Sequence, residues 1–296
     1  MTDSVQHGYD RGREDLGNII HLEHVNTTIP DQRLSTLFYV TGLGLTRDPY
    51  LMTSTDNMWI NVGRSQFHLP TNAAQVLRGH VGLVIPDRQF VLQRLAGVRK
   101  ELDGTRFAFR ELADCIEAVS PWGNVIRVHQ PEARFGRIQL GMPYVEFDVP
   151  TGAADGIARF YREIFRAPAE CVEDSDGRIA RVAVGIQQYL VYRETDRQLP
   201  DYDRHHIQIY IANFSDPHRR LRERELITEE SDQYQYRFVD IVDPESGAKL
   251  FAIEHEVRSM SHPLYARPLV NRNPYQSNLR FAPGHETREW ALPYAE

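Results

Sequence analysis

The sequence predicts an α+β fold made of four similar units, each a strand, then a helix, then further strands. Three observations carry that prediction. One order of elements recurs along the chain. A histidine stands at the same kind of place in three short apolar strands: His24 opens residues 24–29, His68 closes toward Leu69 in residues 65–69, and His80 opens residues 80–85. An aromatic pair, Phe38-Tyr39, finds its echo in Phe160-Tyr161, in the corresponding helix of the second half. Repetition of this kind outweighs any single motif, because such a unit cannot bury its apolar face alone and needs neighbours.

Taken in order, residues 1–18 are polar, lack periodicity and read as a flexible N-terminal arm. Residues 19–29 read as a strand, after which Asp31 starts a helix with Leu34, Leu37 and Phe38 at helical spacing; Gly42 and Gly44 stop it. Residues 59–62 and 66–69 are strands about a turn at Gly63-Arg64. The second unit has a strand over residues 79–85 and a helix capped by Asp87 that carries Phe90, Val91, Leu95 and Val98. It ends in strands over residues 107–112, 116–119 and 124–128, with Pro121-Trp122-Gly123 as the last turn.

Residues 131–141 contain Pro131, Gly136 and Gly141 and few apolar positions, which places an inter-domain linker there. A second copy follows. Residues 144–149 match 24–29, residues 182–191 with Gly185 match 60–69, residues 206–211 match 80–85, and the turn at 243–247 matches 120–123. The expected organisation is one domain over residues 19–130 and a second over 142–258. Beyond it, Pro263, Pro268, Pro274 and Pro283 forbid a long helix in residues 259–296. The aromatic content of that segment, from Tyr265 to Trp290 and Tyr294, implies an extended arm docked on its own domain or on a neighbouring subunit, so a homo-oligomer is compatible with the sequence.

Composition narrows the class. The chain has 296 residues, 41% of them apolar, enough for two cores. No run approaches the roughly 20 apolar residues of a membrane span. A formal charge of −7 argues against a nucleic-acid partner. Cys115 and Cys171 are too few for a disulfide framework and no secretory signal opens the chain, so a cytoplasmic protein is expected.

At this point the sequence resembles the vicinal oxygen chelate superfamily, which includes glyoxalase I, methylmalonyl-CoA epimerase, fosfomycin and bleomycin resistance proteins and type I extradiol dioxygenases. The resemblance covers about residues 20–255. It rests on His24-Val25-Asn26 followed by Phe38-Tyr39 and Gly42-Leu43-Gly44-Leu45, on Gly79-His80-Val81-Gly82-Leu83, and on Ser120-Pro121-Trp122-Gly123-Asn124. It implies two tandem domains, each a pair of βαβββ units that form a curved, mixed half-barrel sheet with helices outside, around a divalent metal. Four units in one chain resemble the extradiol enzymes.

Carried over by position, the resemblance makes His24, His68 and His80 the metal ligands. The fourth position, four after Gly123, is usually Glu in the family and is Arg127 here. A guanidinium offers no lone pair, so Arg127 becomes a candidate anchor for a substrate anion, and His129, of the same strand parity, a candidate base or ligand. In the second pair Tyr144, Leu190, His206 and Phe251 fall on the four positions. That makes the second domain degenerate, with His206 a relic and Tyr144 a proton donor or a packed aromatic; Glu254 or Glu256 is a further source of the missing carboxylate.

Three neutral imidazoles suit Fe(II), which is favoured, and also Mn, Zn, Ni or Co, and they leave room for two adjacent substrate oxygens. The expected function is a metal-dependent, extradiol-type or related dioxygenase acting on a small, catechol-like molecule. The alternatives are an isomerase or lyase of glyoxalase or epimerase type, and a resistance-type protein that sequesters its ligand without chemistry.

Overall fold

The computed structural model describes residues 11–51 and 56–271. The first unit comprises β1 (Ile19–Asn26), α1 (Gln32–Ser35) running on as a π-helical stretch over Thr36–Gly42, β2 (Thr46–Arg47), β3 (Asn57–Val62) and β4 (Ser65–Pro70). The second has β5 (Gly79–Val84), α2 (Arg88–Gly97), β6 (Ala108–Glu111), β7 (Ile116–Val119) and β8 (Val125–His129). The third has β9 (Gly141–Pro150), α3 (Ala154–Phe160) with a π-helical extension over Tyr161–Phe165, β10 (Ala169–Asp174), β11 (Gly177–Gly185) and β12 (Gln188–Thr195). The fourth has β13 (His206–Ile211), α4 (Ser215–Arg222), β14 (Ile227–Asp232), β15 (Gln235–Val242) and β16 (Lys249–Ser259). None of these helices is long and apolar enough to cross a membrane.

The four repeats and the α+β class are therefore present, but the units pair differently from expectation. They form two mixed, curved, open sheets of eight strands: β14-β15-β16-β13-β1-β4-β3-β2 and β10-β11-β12-β9-β5-β8-β7-β6. The first unit joins the fourth, and the second joins the third. A division into residues 19–130 and 142–258 does not describe either sheet. Residues 131–141, expected as an inter-domain linker, instead connect β8 to β9 within one sheet and include a 3-10 turn over Ala133–Phe135. The chain changes sheet at residues 71–78 and again at 196–205. All four units bury the same apolar pattern, so patterning alone leaves their pairing open.

Local chemistry sets the elements. Asp31, in extended conformation, accepts from the Leu34 amide at 2.9 Å and caps α1 as expected. Asp87 precedes α2 in a left-handed conformation and makes no capping hydrogen bond, contrary to expectation. Gly63 has φ +63°, and a Cβ there would lie 2.1 Å from the Leu140 carbonyl oxygen, so the β3–β4 turn and the other sheet's entry strand need glycine.

The core fills the space behind the concave faces. Phe38, Tyr39, Phe67, Leu95 and Val98 lie on one side and Phe147, Phe160, Phe165, Phe238 and Tyr192 on the other, all fully or almost fully buried. Each contributes roughly 1.5–3 kcal/mol on burial. Gln188 joins the sheets: its Nε2 donates to the carbonyls of Leu22 and Met142 at 3.0 and 3.1 Å, and its Oε1 accepts from the Leu22 amide at 3.1 Å.

The termini are partly described. Of the N-terminal arm, residues 1–10 lie outside the described residues; Arg11–Glu14 form a 3-10 turn, and Asn18 is buried and donates to the Asn213 carbonyl at 3.0 Å. Of the expected C-terminal arm, residues 272–296 lie outside the described residues, while residues 260–271 cross back from β16 to β3 and β4.

His255 gives a stability prediction. It is fully buried and stacked on Phe238 with ring centroids 4.3 Å apart. Its Nδ1 donates to the Ile253 carbonyl at 2.9 Å, and its Nε2 accepts from the Tyr161 hydroxyl at 2.5 Å. Burial pushes its pKa down to about 3. A histidine depressed on folding contributes its full stability above its unfolded pKa, and that contribution is lost as pH falls from there toward the folded value. Lowering the pH from about 7.5 to about 5.5 should therefore cost about 1.4 kcal/mol through this residue. Denaturant titrations of His255→Gln should show a pH effect smaller than wild type by that amount. An identical pH dependence would refute the assignment.

Candidate metal centre

The first sheet brings two equivalent strands side by side. β1 and β13 run antiparallel with His24 opposite Gln208 and Asn26 opposite His206, so the two histidines are related by a pseudo-two-fold between the strands. β4 flanks β1 in parallel, with Gln66 opposite His24 and His68 opposite Asn26. β16 flanks β13 in the same way, with Glu254 opposite His206 and Glu256 opposite Gln208. His68 and Glu256 each lie two residues beyond the partner of their unit's histidine. The two-fold thus relates His24 to His206 and His68 to Glu256, and strand alternation places all four on one concave face.

A bulge adds a fifth group. Leu22 is opposite Ile209 and His24 is opposite Gln208, which leaves Glu23 as the extra residue. A bulge re-aims side chains. Here it brings the buried Glu23 carboxylate into a hydrogen bond with His24 Nδ1.

The ligand atoms of His24, His68 and His206 all lie within 4.8 Å of one another, and His206 Nε2 is 3.5 Å from Glu256 Oε2. His24 meets His68 and His206 edge-on, with centroids 5.7 and 5.6 Å apart. Burial holds all three rings neutral. It pushes His24 and His206 well below the ordinary imidazole range, Arg258 and Arg237 adding to the effect on both, and His68 down to about 2. A neutral imidazole is the form that binds a metal.

Hydrogen bonding separates the four positions. With Nδ1 committed to Glu23, His24 directs Nε2 into the cup; that atom is buried and has no partner among the described residues, and the same is true of His206 Nε2. Glu256 Oε1 is buried without a hydrogen bond, although Arg258 Nη2 forms an ion pair with it at 2.6 Å, close but poorly aligned. Arg237 binds the other Glu256 oxygen and also Glu254. Burial pushes the Glu256 carboxyl up, and the two guanidiniums oppose that. His68, by contrast, accepts from Asn26 Nδ2 at 2.7 Å, donates to Asn57 Oδ1 at 2.8 Å and stacks on Trp59 at 3.8 Å. Two orphaned imidazole nitrogens, with the Glu256 carboxylate 3.5 Å from one of them, fit a divalent cation.

The other expected site residues lie elsewhere. His80 is on β5, which pairs with β8 and β9 in the second sheet, so His24, His68 and His80 do not converge and His206 stands where His80 was expected. Arg127, His129 and Tyr144 accompany His80 there. Leu190 and Phe251 are core residues: register puts Val191 and Glu256 at the two positions assigned to them. Asp114, Cys115 and His129 also cluster with donor atoms within 4.8 Å, but Arg134 bonds to Asp114 and His129 at 3.3 and 3.1 Å and supplies the cation itself.

No protein-family model matches the chain, and no curated protein matches it. Solved structures do. A provisionally assigned dioxygenase from Bacillus subtilis aligns at a TM-score of 0.55 with 15% identity, covering 84% of this chain and 87% of its own. Glyoxalase I from Zea mays aligns at 0.56 with 12% identity over 81% of this chain and 92% of its own, and a single-residue variant of that enzyme aligns at 0.57 with 13% identity over the same shares. The likeness is one of fold: the two eight-stranded sheets have the vicinal oxygen chelate architecture.

Proposed function

We propose that the chain is a metal-dependent enzyme of the vicinal oxygen chelate type, a dioxygenase in which His24, His206 and Glu256 hold Fe(II) and the substrate is small and catechol-like. The observation that carries this reading is the division among the four symmetric positions: His24 and His206 present unpartnered Nε2 atoms, the Glu256 carboxylate lies 3.5 Å from His206, and His68 has both nitrogens engaged. Two imidazoles and one carboxylate are the donor set of non-haem Fe(II) oxygenases, and an ion so held supplies roughly three open positions, enough for two vicinal oxygens and O₂.

The chain's own groups prepare that chemistry. Glu23 fixes the tautomer and direction of His24, a partnership that also raises the ring's basicity. Burial raises the Glu256 carboxyl, and Arg237 and Arg258 oppose that, favouring its charged form. Trp59 and His68 form one wall, and residues 260–271 cross near the β3–β4 side of the cup, with Arg267 reaching Gln66 at 3.3 Å. His24, His206 and Glu256 are all buried, which limits the access of water to the reacting groups.

A second reading is an isomerase or lyase of glyoxalase type, and the position of His68 favours it: its donor atom lies within 4.8 Å of those of His24 and His206. Four protein ligands would leave roughly two open positions, room for a chelating substrate without O₂. The test is metal analysis of native protein combined with oxygen uptake on a catechol panel. About one iron per chain with substrate-dependent uptake is expected. Zinc, nickel or cobalt without uptake would move the assignment to the isomerase or lyase, and metal-free native protein that binds without turnover would leave a sequestering role.

A further inference from the structure

The second sheet repeats the geometry of the first with different side chains. β5 and β9 run antiparallel, His80 opposite Glu146 and Gly82 opposite Tyr144. β8 lies parallel to β5 with Arg127 opposite Gly82, and β12 lies parallel to β9 with Val191 opposite Glu146. Counted as in the first cup, the four positions are His80, Arg127, Tyr144 and Val191. A guanidinium and an isopropyl group offer no lone pair, so this set does not hold a cation. Its groups donate instead.

Gly82 makes room for them. A Cβ there would lie 2.2 Å from Cε1 of Tyr144, so the phenol ring leans over a strand position with no side chain, edge-on to His80 at 5.6 Å. Tyr144 Oη is 2.9 Å from His129 Nε2. The Nδ1 of that ring faces Arg134 Nη2 at 3.1 Å, closer than the Asp114 carbonyl at 3.3 Å. Arginine can only donate; with Nδ1 accepting from Arg134, His129 would carry its proton on Nε2 and give it to the Tyr144 oxygen, leaving the phenolic O–H for a ligand. His80 Nε2 is buried and unpartnered in a residue 7% exposed.

Arg127 is half-buried and makes no hydrogen bond among the described residues; its nearest carboxylate, Glu117, is 3.6 Å away and is held more closely by Arg110 at 2.6 Å. Glu146, 3.9 Å from His80 Nδ1, is engaged by Arg193 at 2.8 Å. Arg193 also binds Asp174 at 2.7 Å, so carboxylates match guanidiniums in number here, and Arg127 is the guanidinium of this set left without a hydrogen-bonded carboxylate, its fork open to a small anion.

We propose that this second cup is a metal-independent binding site for a small carboxylate, gripped by Arg127 with the Tyr144 hydroxyl and His80 Nε2 beside it. The planar fork of arginine matches a carboxylate with two parallel hydrogen bonds. Calorimetric titration of the metal-stripped full chain with acetate, benzoate and inorganic phosphate tests it. A carboxylate should bind one per chain, at least about tenfold more weakly in Arg127→Gln and more weakly in Tyr144→Phe. Arg127→Lys keeps the charge and loses the fork, and should weaken binding even if the glutamine variant does not fold. Absence of carboxylate binding, preference for phosphate, or retention of full affinity in the Arg127 variants would each overturn the proposal.

Discussion

Glu256→Gln and His206→Ala should each strip the chain of tightly bound metal, whereas His80→Ala should retain a full equivalent. Glu256 is the only carboxylate among the four symmetric positions, and Arg237 and Arg258 face it. Its neutral isostere would leave a divalent ion among imidazoles with two guanidiniums nearby and no anion between them. A loss of at least about 100-fold in affinity is expected, beyond the roughly 10–100-fold expected for Glu23→Gln, which removes only the group that orients His24. His206→Ala deletes one of the two unpartnered Nε2 donors and should act as strongly. Metal content after gel filtration against a weak chelator checks the series. Equal losses in His80→Ala and Glu256→Gln would sink the assignment.

The contrast between His80 and His206 shows where the sequence stops. The repeat, the strand parity of each histidine and the position of His24 were legible because alternation and the aromatic echo are local properties. Which units share a sheet is not local. β1 could satisfy its edge with the strand of any other unit, and a ligand set drawn from consecutive units follows only if consecutive units pair. They do not, so His206, which looked isolated in sequence beside Tyr144, is the partner of His24 across β1 and β13.

Glu256 was obscured for a related reason. Counting from the turn glycine works for Arg127, which lies four residues after Gly123, but β16 is an 11-residue strand and register to β13 fixes the position at Glu256 instead of Phe251. The signal was the alternation Glu254-x-Glu256-x-Arg258, three charged groups sharing one face of a strand, a pattern expensive to bury without a purpose. Glu23 had no such signal, since only the bulge turns it to the same face as His24.

Asp48→Ala should be the most destabilising surface-distant change near the metal cup, at about 3 kcal/mol, and Arg267→Ala distinctly milder. Asp48 is fully buried; one oxygen accepts from the Tyr50 and Leu51 amides at 2.8 and 2.9 Å, the other from Arg267 at 3.0 Å and Gln66 at 3.3 Å. Removing the carboxylate leaves a guanidinium in a largely buried place with no other ion-paired carboxylate among the described residues, the case in which breaking a buried pair costs most. Removing Arg267 leaves Asp48 with its two amides and Gln66, so most of its hydrogen bonds survive. The pair also fastens residues 260–271 to β3 and β4, together with Asn271, which bonds the Gly63 amide at 3.0 Å and its carbonyl at 2.8 Å. Gln66 stands two residues before His68 on the same face, so freeing that segment lets water reach the cup. Chemical denaturation should rank the variants in that order, with faster proteolysis within residues 260–271 in Asp48→Ala. A cost below about 1 kcal/mol, or equal costs for the two, would mean that Asp48 serves the loop of Tyr50 and Leu51 alone and does not hold the C-terminal segment.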